Sequence, residues 1–286
     1  MIFDKYITLG NGVNIPSLGF GTWCIDDGKA AEAVQTAIEI GYRHIDTAQA
    51  YGNERGIGEG VRSCGVPRGE LFVISKVAAE NKSYESAAKS IDETLEKMGL
   101  DYLDMMIIHA PHPWAQWRGE KRYFEENREV WRALEDAYEA GKLRAIGVSN
   151  FLSDDLESLL THCRIKPAVN QVLAHIGNIP SELISFCREN DIAVEAYSPI
   201  AHGEVLKSPE IAETAKKYGV SPAQLCIRYI LQLGLIALPK ASTRGHIKEN
   251  ATLDFVISDA ADMTSLSEVN FKDYGEYSYF PVFSGK

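Results

Sequence analysis

The sequence predicts an α/β fold, a single (β/α)8 (TIM) barrel preceded by a β-hairpin. Eight short apolar runs recur along the 286 residues, and helix-like segments clearly follow seven of them. Runs this apolar are typical of strands buried on both faces, as in a parallel sheet covered by helices. Eight such units in a chain of this length fit one closed barrel, so we expect one domain over residues 1–286.

The elements are expected in a regular order along the chain. The Asn11-Gly12 pair inside an alternating stretch predicts a hairpin over residues 7–15, which could close the bottom of the barrel. The strands are expected at Leu18–Phe20, Arg43–Asp46, Leu71–Lys76, Asp104–His109, Ala145–Ser149, Ala168–Gln171, Ala193–Tyr197 and Leu235–Pro239. The helix-like segments include Ala30–Ile40, Ser83–Met98, Asn127–Ala140, Asp154–Leu160, Ser181–Glu189 and Pro222–Gln232.

A doubly wound open sheet with a dinucleotide-binding domain is the alternative arrangement. Its fingerprint is GxGxxG directly between a first strand and a helix. The segment Gly19-Phe20-Gly21 lacks the third glycine. The segment from Gly56 to Gly60 follows a loop and is expected inside a helix. The barrel is therefore the better interpretation of the pattern.

Composition and charge argue against several classes of function. The chain carries 29 basic and 40 acidic residues, a net charge of −11, which argues against binding to nucleic acid or to an anionic membrane surface. No apolar run is long enough to span a bilayer, and the N-terminus lacks the apolar segment of a signal peptide. Five cysteines without a CxxC pattern indicate free thiols rather than a metal cage. We expect a cytoplasmic protein that is a monomer by default, with a dimer left open.

Polar residues stand at the ends of most predicted strands. All strands of a parallel barrel end at the same mouth, so these side chains should converge on one site. The alternative is that polar residues only mark where strands stop. The residues concerned are Asp46, Lys76, His109, Ser149, Asn150, Gln171, Tyr197 and, just beyond its strand, Lys240.

Three of these polar residues, together with Tyr51 in the loop that follows Asp46, suit the reduction of a carbonyl group. An alkoxide formed by hydride addition needs a proton, and a free tyrosine with a pKa near ~10 is a poor acid at neutral pH. A lysine ammonium beside Tyr51 would lower that pKa, and the Asp46 carboxylate would keep Lys76 charged and oriented. His109 could donate a hydrogen bond to the substrate oxygen.

Each of the four has a simpler explanation. Asp46 could cap a helix, Tyr51 could pack in the core or at the rim, and His109 could pack in a loop. Lys76 could be a solvated strand end or the Schiff-base lysine of a lyase. His109 and His112 lack a third ligand at suitable spacing, so we expect no metal.

The sequence resembles the aldo-keto reductases, a family of nicotinamide-dependent (β/α)8 carbonyl reductases, in their bacterial-type, 2,5-diketo-gluconate reductase-like branch. The resemblance implies that Tyr51 is the general acid, that Lys76 and Asp46 tune it, and that His109 orients the substrate. It also implies a cofactor bound in an extended form without a Rossmann domain. The likeness spans nearly the whole chain through Leu18–Trp23, Gly41–Glu54, Ile74–Lys76, Asp104–His109, Gly141–Phe151, Val169–Gln171, Ala196–Pro199 and Leu238–Asn250.

The resemblance implies a cofactor site at the remaining strand ends. Ser149, Asn150 and Gln171 would bind the nicotinamide carboxamide, Tyr197 would stack on the ring, and the 240–250 segment would hold the adenosine end. The implied set is Thr22, Asp46, Ser149, Asn150, Gln171, Tyr197, Ser198, Pro199, Lys240, Ser242, Thr243, Arg244, His246, Glu249 and Asn250. Without a cofactor, the same polar residues would be explained as helix caps, strand ends or parts of a solvated loop.

The 240–250 segment departs from the family at two positions. Ala241 stands where a serine is usual, and His246 stands where an arginine that grips the ribose 2′-phosphate is common. Arg244 could substitute for that arginine, since histidine is a weaker and pH-dependent phosphate partner. We expect NADPH as the cofactor because Lys240 and Arg244 would form a cationic pocket, and NADH is the alternative.

The substrate side is expected to be aromatic. Trp23, Tyr51, His109 and Trp114 are the predicted substrate contacts, and Ala110 replaces the tryptophan that often follows the strand-end histidine in the family. The strand of Gln171 runs on through Val172–His175 instead of Glu-Tyr-His-Pro. The aromatic tail, at about 271–286, could line the mouth or pack on the side of the barrel. A non-catalytic nucleotide sensor is a further alternative, against which the Tyr51/Lys76 pair argues.

Overall fold

The protein is described by a computed structural model over residues 1–271 and 273–284. Its centre is an eight-stranded sheet in which neighbouring strands are parallel and follow one another in chain order. Leu18 pairs with Ala237 and joins the first strand of this sheet to the last, which closes the barrel. After the hairpin strands β1 (Tyr6–Thr8) and β2 (Asn14–Pro16), the barrel strands are β3 (Phe20–Gly21), β4 (His44–Asp46), β5 (Phe72–Val77), β6 (Met105–Ile108), β7 (Ile146–Ser149), β8 (Val169–Leu173), β9 (Ala193–Tyr197) and β10 (Ile236–Leu238).

The predicted hairpin is confirmed, and it closes the N-terminal end of the barrel. β1 and β2 pair antiparallel, with Ile7 opposite Ile15, around a turn in which Gly12 has a φ of 84°. Leu9 and Ile15 are buried against apolar side chains that project into the barrel from five of its strands, among them Phe72 and Ile107. This apolar layer fills one end of the barrel, so a ligand can enter only from the other end, where the strands terminate.

Helices follow the strands as the periodicity predicts. Ser83 caps the N-terminus of one of them by accepting a hydrogen bond from the backbone N–H of Ser86, and Gly99 ends the same helix with a φ of 61°. The helices are α1 (Asp27–Ile40), α2 (Glu54–Ser63), α3 (Tyr84–Met98), α4 (Phe124–Glu139), α5 (Ser153–Leu160), α6 (Ser181–Glu189), α7 (Pro209–Lys217), α8 (Pro222–Gln232), α9 (Arg244–Ala251), α10 (Ala260–Glu268) and α11 (Pro281–Ser284).

The open-sheet alternative is wrong. The glycines from Gly56 to Gly60 lie inside α2, where the Cβ of any other residue at Gly58 would come within 2.1 Å of the Met98 carbonyl oxygen. These glycines therefore allow α2 to pack closely and do not bind a phosphate. Within the described residues, no helix is both long and apolar enough to cross a membrane.

Candidate active site

A cavity of about 660 Å³ opens at the C-terminal ends of the barrel strands. Most of the site residues expected from the sequence line it, so the strand ends do converge. These lining residues are Thr22, Trp23, Asp46, Tyr51, His109, Trp114, Ser149, Asn150, Gln171, Tyr197, Ser198, Pro199, Lys240, Ser242, Thr243 and His246. The other expected residues lie outside the wall: Lys76, Arg244, Glu249 and Asn250.

Lys76 lies directly beneath the cavity at the end of β5 and is fully buried. Its Nζ donates to Asp46 Oδ1 at 2.7 Å, to the Thr47 carbonyl oxygen at 2.8 Å and to Tyr51 Oη at 3.3 Å. An ammonium group has three protons, so these three acceptors use all of them. The hydroxyl of Tyr51 is thereby held against a buried cation at the floor of the cavity.

The protonation states of this group follow from its surroundings. Burial opposes the charge on Lys76, but Asp46 and Tyr51 outweigh it and hold its pKa above the ordinary range. Burial raises the pKa of Tyr51, and Lys76 acts in the opposite direction without cancelling it. The lowering influence expected from the sequence is therefore present but smaller than the effect of burial. Tyr51 is a protonated phenol and Lys76 a cation at neutral pH.

The Schiff-base alternative for Lys76 has no support in this geometry. A Schiff-base lysine must release a proton and present a free amine, which requires a lowered pKa. Lys76 has the opposite shift, and all of its protons are donated. It is a charged structural partner of Tyr51 and not a nucleophile.

His109 lies at the end of β6 with its ring 5.7 Å from that of Tyr51 and 5.2 Å from that of Trp114, both in edge-to-face contact. Burial, assisted by Lys76, lowers its pKa well below the ordinary value, so the imidazole is neutral. Its Nδ1 is buried and has no hydrogen-bond partner among the described residues. His109 also lines the cavity, and a neutral imidazole beside Tyr51 can bind a substrate oxygen there.

The amide and hydroxyl groups across the cavity form one chain of hydrogen bonds. Tyr197 Oη donates to Asn150 Oδ1 at 2.7 Å, while Asn150 Nδ2 donates to the His109 carbonyl oxygen and to Ser149 Oγ. Ser149 Oγ donates to the Gln171 carbonyl oxygen at 2.8 Å. The donors of Ser149 and Asn150 are thus used within the protein. What this side of the cavity still offers a ligand is mainly acceptor capacity.

Gln171 is the residue whose acceptor is most available. Its Nε2 donates to Asp46 Oδ2 at 2.9 Å and to Glu195 Oε2 at 2.7 Å. Among the described residues none donates to its Oε1, although Gln171 lines the cavity. The NH2 of a nicotinamide carboxamide would meet this need, so the residues present fit the cofactor that the sequence predicts.

The 240–250 segment forms a more exposed part of the wall. Lys240 Nζ donates to Ser242 Oγ at 2.8 Å, and Thr243 caps α9 by accepting from the backbone N–H of His246. Cations, hydroxyls and free N–H groups at the start of a helix suit a phosphate group. Arg244 points elsewhere: its guanidinium pairs with Glu39 on α1 at 2.7 Å. Its expected role as a substitute phosphate ligand would require that ion pair to break.

Aromatic side chains cover the rest of the cavity. Trp23 contacts the rings of Tyr277, Phe280 and Phe283, and Trp114 contacts Phe280 at 5.2 Å. Of the aromatic tail expected near the mouth, Tyr277, Phe280 and Phe283 therefore contribute to the wall. Residues 272, 285 and 286 of that range lie outside the described residues.

Sequence reasoning missed two groups at this site. His202 lines the cavity and stacks on Tyr277 with ring centroids 4.1 Å apart, but it lies in the kinked 3-10 segment Ala201–Lys207, which no motif marks. Glu195 lies inside the barrel beneath Gln171, with His44 beside it. The signal for Glu195 was its charge in the middle of an apolar strand, on the same face as Tyr197 two residues later. His44 has the same relation to Asp46.

No group of three or more His, Cys, Asp or Glu side chains within residues 1–271 and 273–284 is arranged to hold a metal ion. The site therefore consists of a buried Asp–Lys–Tyr group, a neutral histidine, unused amide acceptors and an aromatic wall.

Comparisons with known proteins agree with this geometry. The sequence pattern of the Aldo/keto reductase family matches residues 17–270. The chain is 42% identical over 269 residues to the 9,11-endoperoxide prostaglandin H2 reductase of Trypanosoma cruzi, covering 92% of this chain and 91% of that protein. It is 41% identical to the glyoxal reductase of Bacillus subtilis, covering 92% of each.

Solved structures give the same result. The aldo/keto reductase of Brucella melitensis is 36% identical and superposes with a TM-score of 0.87 over 94% of this chain and 98% of that one. The aldose reductase of Schistosoma japonicum is 32% identical, with a TM-score of 0.85 over 99% and 97% of the two chains. The chain thus belongs to the aldo/keto reductase family and is an NAD(P)H-dependent oxidoreductase that acts on carbonyl compounds.

Proposed function

We propose that this enzyme reduces aldehydes or ketones in the cavity, with Tyr51 as the proton donor and NADPH as the preferred cofactor. The observation that carries the proposal is the contact between Tyr51 Oη and Lys76 Nζ, at 3.3 Å, on the cavity floor. A carbonyl oxygen that becomes an alkoxide needs a proton at that point, and a phenol beside a buried ammonium group can supply it.

The proton is released from Tyr51 Oη. The phenolate left behind is stabilised by Lys76, which keeps its own charge because Asp46 Oδ1 lies 2.7 Å from its Nζ. The neutral imidazole of His109 lines the cavity beside Tyr51, where it would bind the substrate oxygen and fix the position of the carbonyl relative to Tyr51. The reduced nicotinamide, when bound, supplies the hydride.

The residues that would hold the nicotinamide are Gln171, with its unused Oε1, and Asn150, whose Oδ1 has a second lone pair. Tyr197 would provide a ring face at the same place. Thr22, Ser149, Ser198 and Pro199 would complete the wall around it. The acceptors that remain on this wall match the NH2 group of the carboxamide.

The preference for NADPH rests on charge. Lys240 and the start of α9 lie in the cavity wall of a protein whose net charge is −11, so an anion at this place meets the least repulsion. His246 lies in the same wall, in the first turn of α9. Glu249 and Asn250 lie in the last turn of α9 and would reach only the adenosine end. NADH is the alternative cofactor.

The substrate is proposed to be a small carbonyl compound with an apolar part. Trp23 and Trp114 face the same space as the rings of Tyr277 and Phe280. An aromatic wall of this kind favours apolar groups, while Tyr51 and His109 bind the carbonyl oxygen. Relatives named for glyoxal and for a prostaglandin endoperoxide show that substrates differ widely among similar chains.

We also propose that the enzyme works as a cytoplasmic monomer. The five cysteines are unpaired, as expected in a reducing compartment.

The test is a fluorescence titration followed by a turnover assay. Four tryptophans give the signal, and two of them, Trp23 and Trp114, line the cavity. We expect saturable quenching by NADPH at lower concentration than by NADH, and cofactor consumption, followed by absorbance, with at least one member of a panel of aldehydes and ketones. Binding without turnover on any carbonyl would favour a nucleotide sensor. A failure to bind either nucleotide would refute the assignment of the cavity.

A further inference from the structure

A second polar layer lies inside the barrel beneath the catalytic group. Glu195 on β9 and His44 on β4 are both fully buried there, with His44 Nε2 and Glu195 Oε1 3.3 Å apart. Gly19 makes room for the imidazole, since a Cβ at this position would come within 2.7 Å of His44 Nδ1. Neither residue contacts the cavity, and the mechanism above does not use them.

The hydrogen bonds of His44 fix where the protons lie. Its Nδ1 is 3.2 Å from the carbonyl oxygen of Pro16, which can only accept, so Nδ1 carries a proton. Burial lowers the pKa of His44 to about 4, so the imidazole is neutral and its Nε2 is an acceptor. A carboxylate would place a second acceptor against Nε2. The contact is satisfied only if Glu195 carries a proton on Oε1 and donates it.

The charges around Glu195 agree with a neutral acid. Burial and, after it, the Asp46 carboxylate raise the pKa of Glu195, while Gln171 and Lys76 act in the opposite direction without cancelling this rise. The groups that face it are His44 and Asp46 from β4, Lys76 from β5 and Gln171 from β8. The single cation among them is already paired with Asp46. A second carboxylate at this place would have no counter-charge of its own.

The other oxygen of Glu195 determines how the amide of Gln171 is turned. Gln171 Nε2 has two hydrogens, and these go to Glu195 Oε2 at 2.7 Å and Asp46 Oδ2 at 2.9 Å. With both donors directed into the barrel, Oε1 is the atom that remains for a ligand. Without Glu195, one donor would lose its partner and the amide could turn over.

We propose that Glu195, as a neutral carboxylic acid, is a positioning residue that locks the Gln171 amide so that Oε1 is presented as an acceptor to the carboxamide of the nicotinamide cofactor. The proposal rests on the proposed role of Gln171 in the cofactor site. Glu195 itself touches neither the cofactor nor the substrate. Its effect is on cofactor affinity and on which face of the nicotinamide ring transfers hydride.

The test uses two substitutions of Glu195 and one control. In Glu195→Gln the new amide can accept from Gln171 and donate to His44, and it cannot ionise. In Glu195→Leu both interactions are lost at similar volume. Glu54→Gln is the matched control, because Glu54 is also buried, also has a pKa raised by burial, and bonds to Ser75 and Thr94 away from the cavity.

The first measurement is the Kd of NADPH from tryptophan fluorescence between about pH 7 and about pH 9.5, above the range in which a phosphate ester titrates. The proton on Glu195 is present below its folded pKa and is lost as the pH rises. The carboxylate can still accept from Gln171, but its Oε1 then lies against the acceptor Nε2 of His44, and the two acceptors repel each other. This repulsion turns the carboxylate away from the position in which Oε2 holds the Gln171 amide. We therefore expect the wild-type Kd to rise by about tenfold over this range. The Kd of Glu195→Gln should stay flat and match the wild type at pH 7 within about twofold, while Glu54→Gln should rise like the wild type.

The second measurement is the fidelity of hydride transfer, read from NADPH deuterated on one face of C4. We expect Glu195→Leu to bind NADPH about tenfold more weakly and to transfer from the wrong face at a detectable rate, because the Gln171 amide is no longer fixed. A role in folding alone would change the melting temperature and leave the transferred face unaltered.

Two results would overturn the proposal. One is a Kd in Glu195→Gln that rises with pH as in the wild type, a comparison that holds even if Glu195→Leu does not fold. The other is a folded Glu195→Leu with wild-type affinity and unchanged facial selectivity. Either result, found with a wild-type enzyme that binds NADPH and turns over, removes the role of Glu195 alone. A wild-type protein that binds no nucleotide refutes the cofactor site as a whole.

Discussion

The floor of the cavity and the 240–250 segment face the same opening but are held in different ways. On the floor, Asp46, Lys76 and Gln171 are buried, and the carboxylate of Asp46 accepts hydrogen bonds from both Lys76 and Gln171 within the barrel. In the segment, Ser242, Thr243 and His246 are exposed, and they rest on a single helix start.

This difference in burial predicts different effects of substitution in the two regions. Removing one partner of a buried ion pair costs about 3–5 kcal/mol, whereas an exposed pair such as Arg244–Glu39 contributes about 0–1 kcal/mol. Substitutions on the floor should therefore change chemistry and stability together. Substitutions in the segment should change cofactor preference and leave the rest of the enzyme as it was.

Tyr51→Phe should have the largest effect on activity. The variant keeps the ring and its contact with His109 but has no proton to donate, so we expect kcat to fall by about 10³-fold. The Kd of NADPH should change by less than about twofold. Turnover and fluorescence titration on the same preparation measure both quantities. A variant with near-wild-type turnover would contradict the assignment of Tyr51 as the proton donor.

Lys76→Met should damage both stability and activity. It leaves the carboxylate of Asp46 buried, 4% exposed, without its cation, and we expect the free energy of unfolding to fall by about 3–5 kcal/mol. Denaturant unfolding followed by tryptophan fluorescence measures the loss.

The control for Lys76→Met is the double variant Lys76→Met/Asp46→Asn, which removes both charges. Its free energy of unfolding should fall by at least about 1 kcal/mol less than the sum of the losses in the two single variants, because no unpaired charge remains. If the losses in the free energy of unfolding simply add, Lys76 and Asp46 do not stabilise each other. That result would contradict the ion pair seen on the floor of the cavity. Activity should stay low in the double variant, since Tyr51 has then lost its cation.

The sequence predicted the barrel and most of the cavity because both depend on local patterns. An apolar run that ends in a polar residue predicts a strand and its end together, and parallel strands bring their ends to one side. This logic identified Asp46, Lys76 and His109 although 63 residues separate the first from the last. The hairpin followed equally from the turn preference of Asn11-Gly12.

The features that the sequence did not show depend on contacts between strands inside the barrel and on which helices become neighbours. Glu195 was passed over because a strand interior is ordinarily apolar. It lies beside Gln171 where β8 pairs with β9, and the closed barrel brings both residues to His44 and Asp46 of β4. The pair between Arg244 and Glu39 joins α9 to α1 across 205 positions of the chain. Arg244, which the sequence offered as a phosphate ligand, is therefore paired with Glu39, and no local pattern could indicate this pair.

His246→Arg should have the smallest effect and the most selective one. An arginine at this exposed position of the cavity wall can form bidentate, charge-assisted hydrogen bonds with a 2′-phosphate, which an imidazole cannot form. We expect the Kd of NADPH to fall by about fivefold to tenfold, or about 1 kcal/mol, because solvent screens the new contact. NADH lacks the 2′-phosphate, so its Kd should change by less than about twofold.

The effect of His246→Arg is best judged against Lys248→Gln, which alters a charge on the same helix at an exposed residue outside the cavity wall. This control should leave both nucleotide affinities within about twofold of the wild type. Raising the salt concentration should reduce the gain in NADPH affinity of His246→Arg, since an exposed phosphate contact is screened.

An equal gain in affinity for NADPH and NADH would mean that the new charge acts on the whole nucleotide and that His246 does not face the 2′-position. An unchanged Kd for both would place the adenosine end away from α9, and the floor of the cavity would then remain the only part of the site for which the cofactor assignment holds.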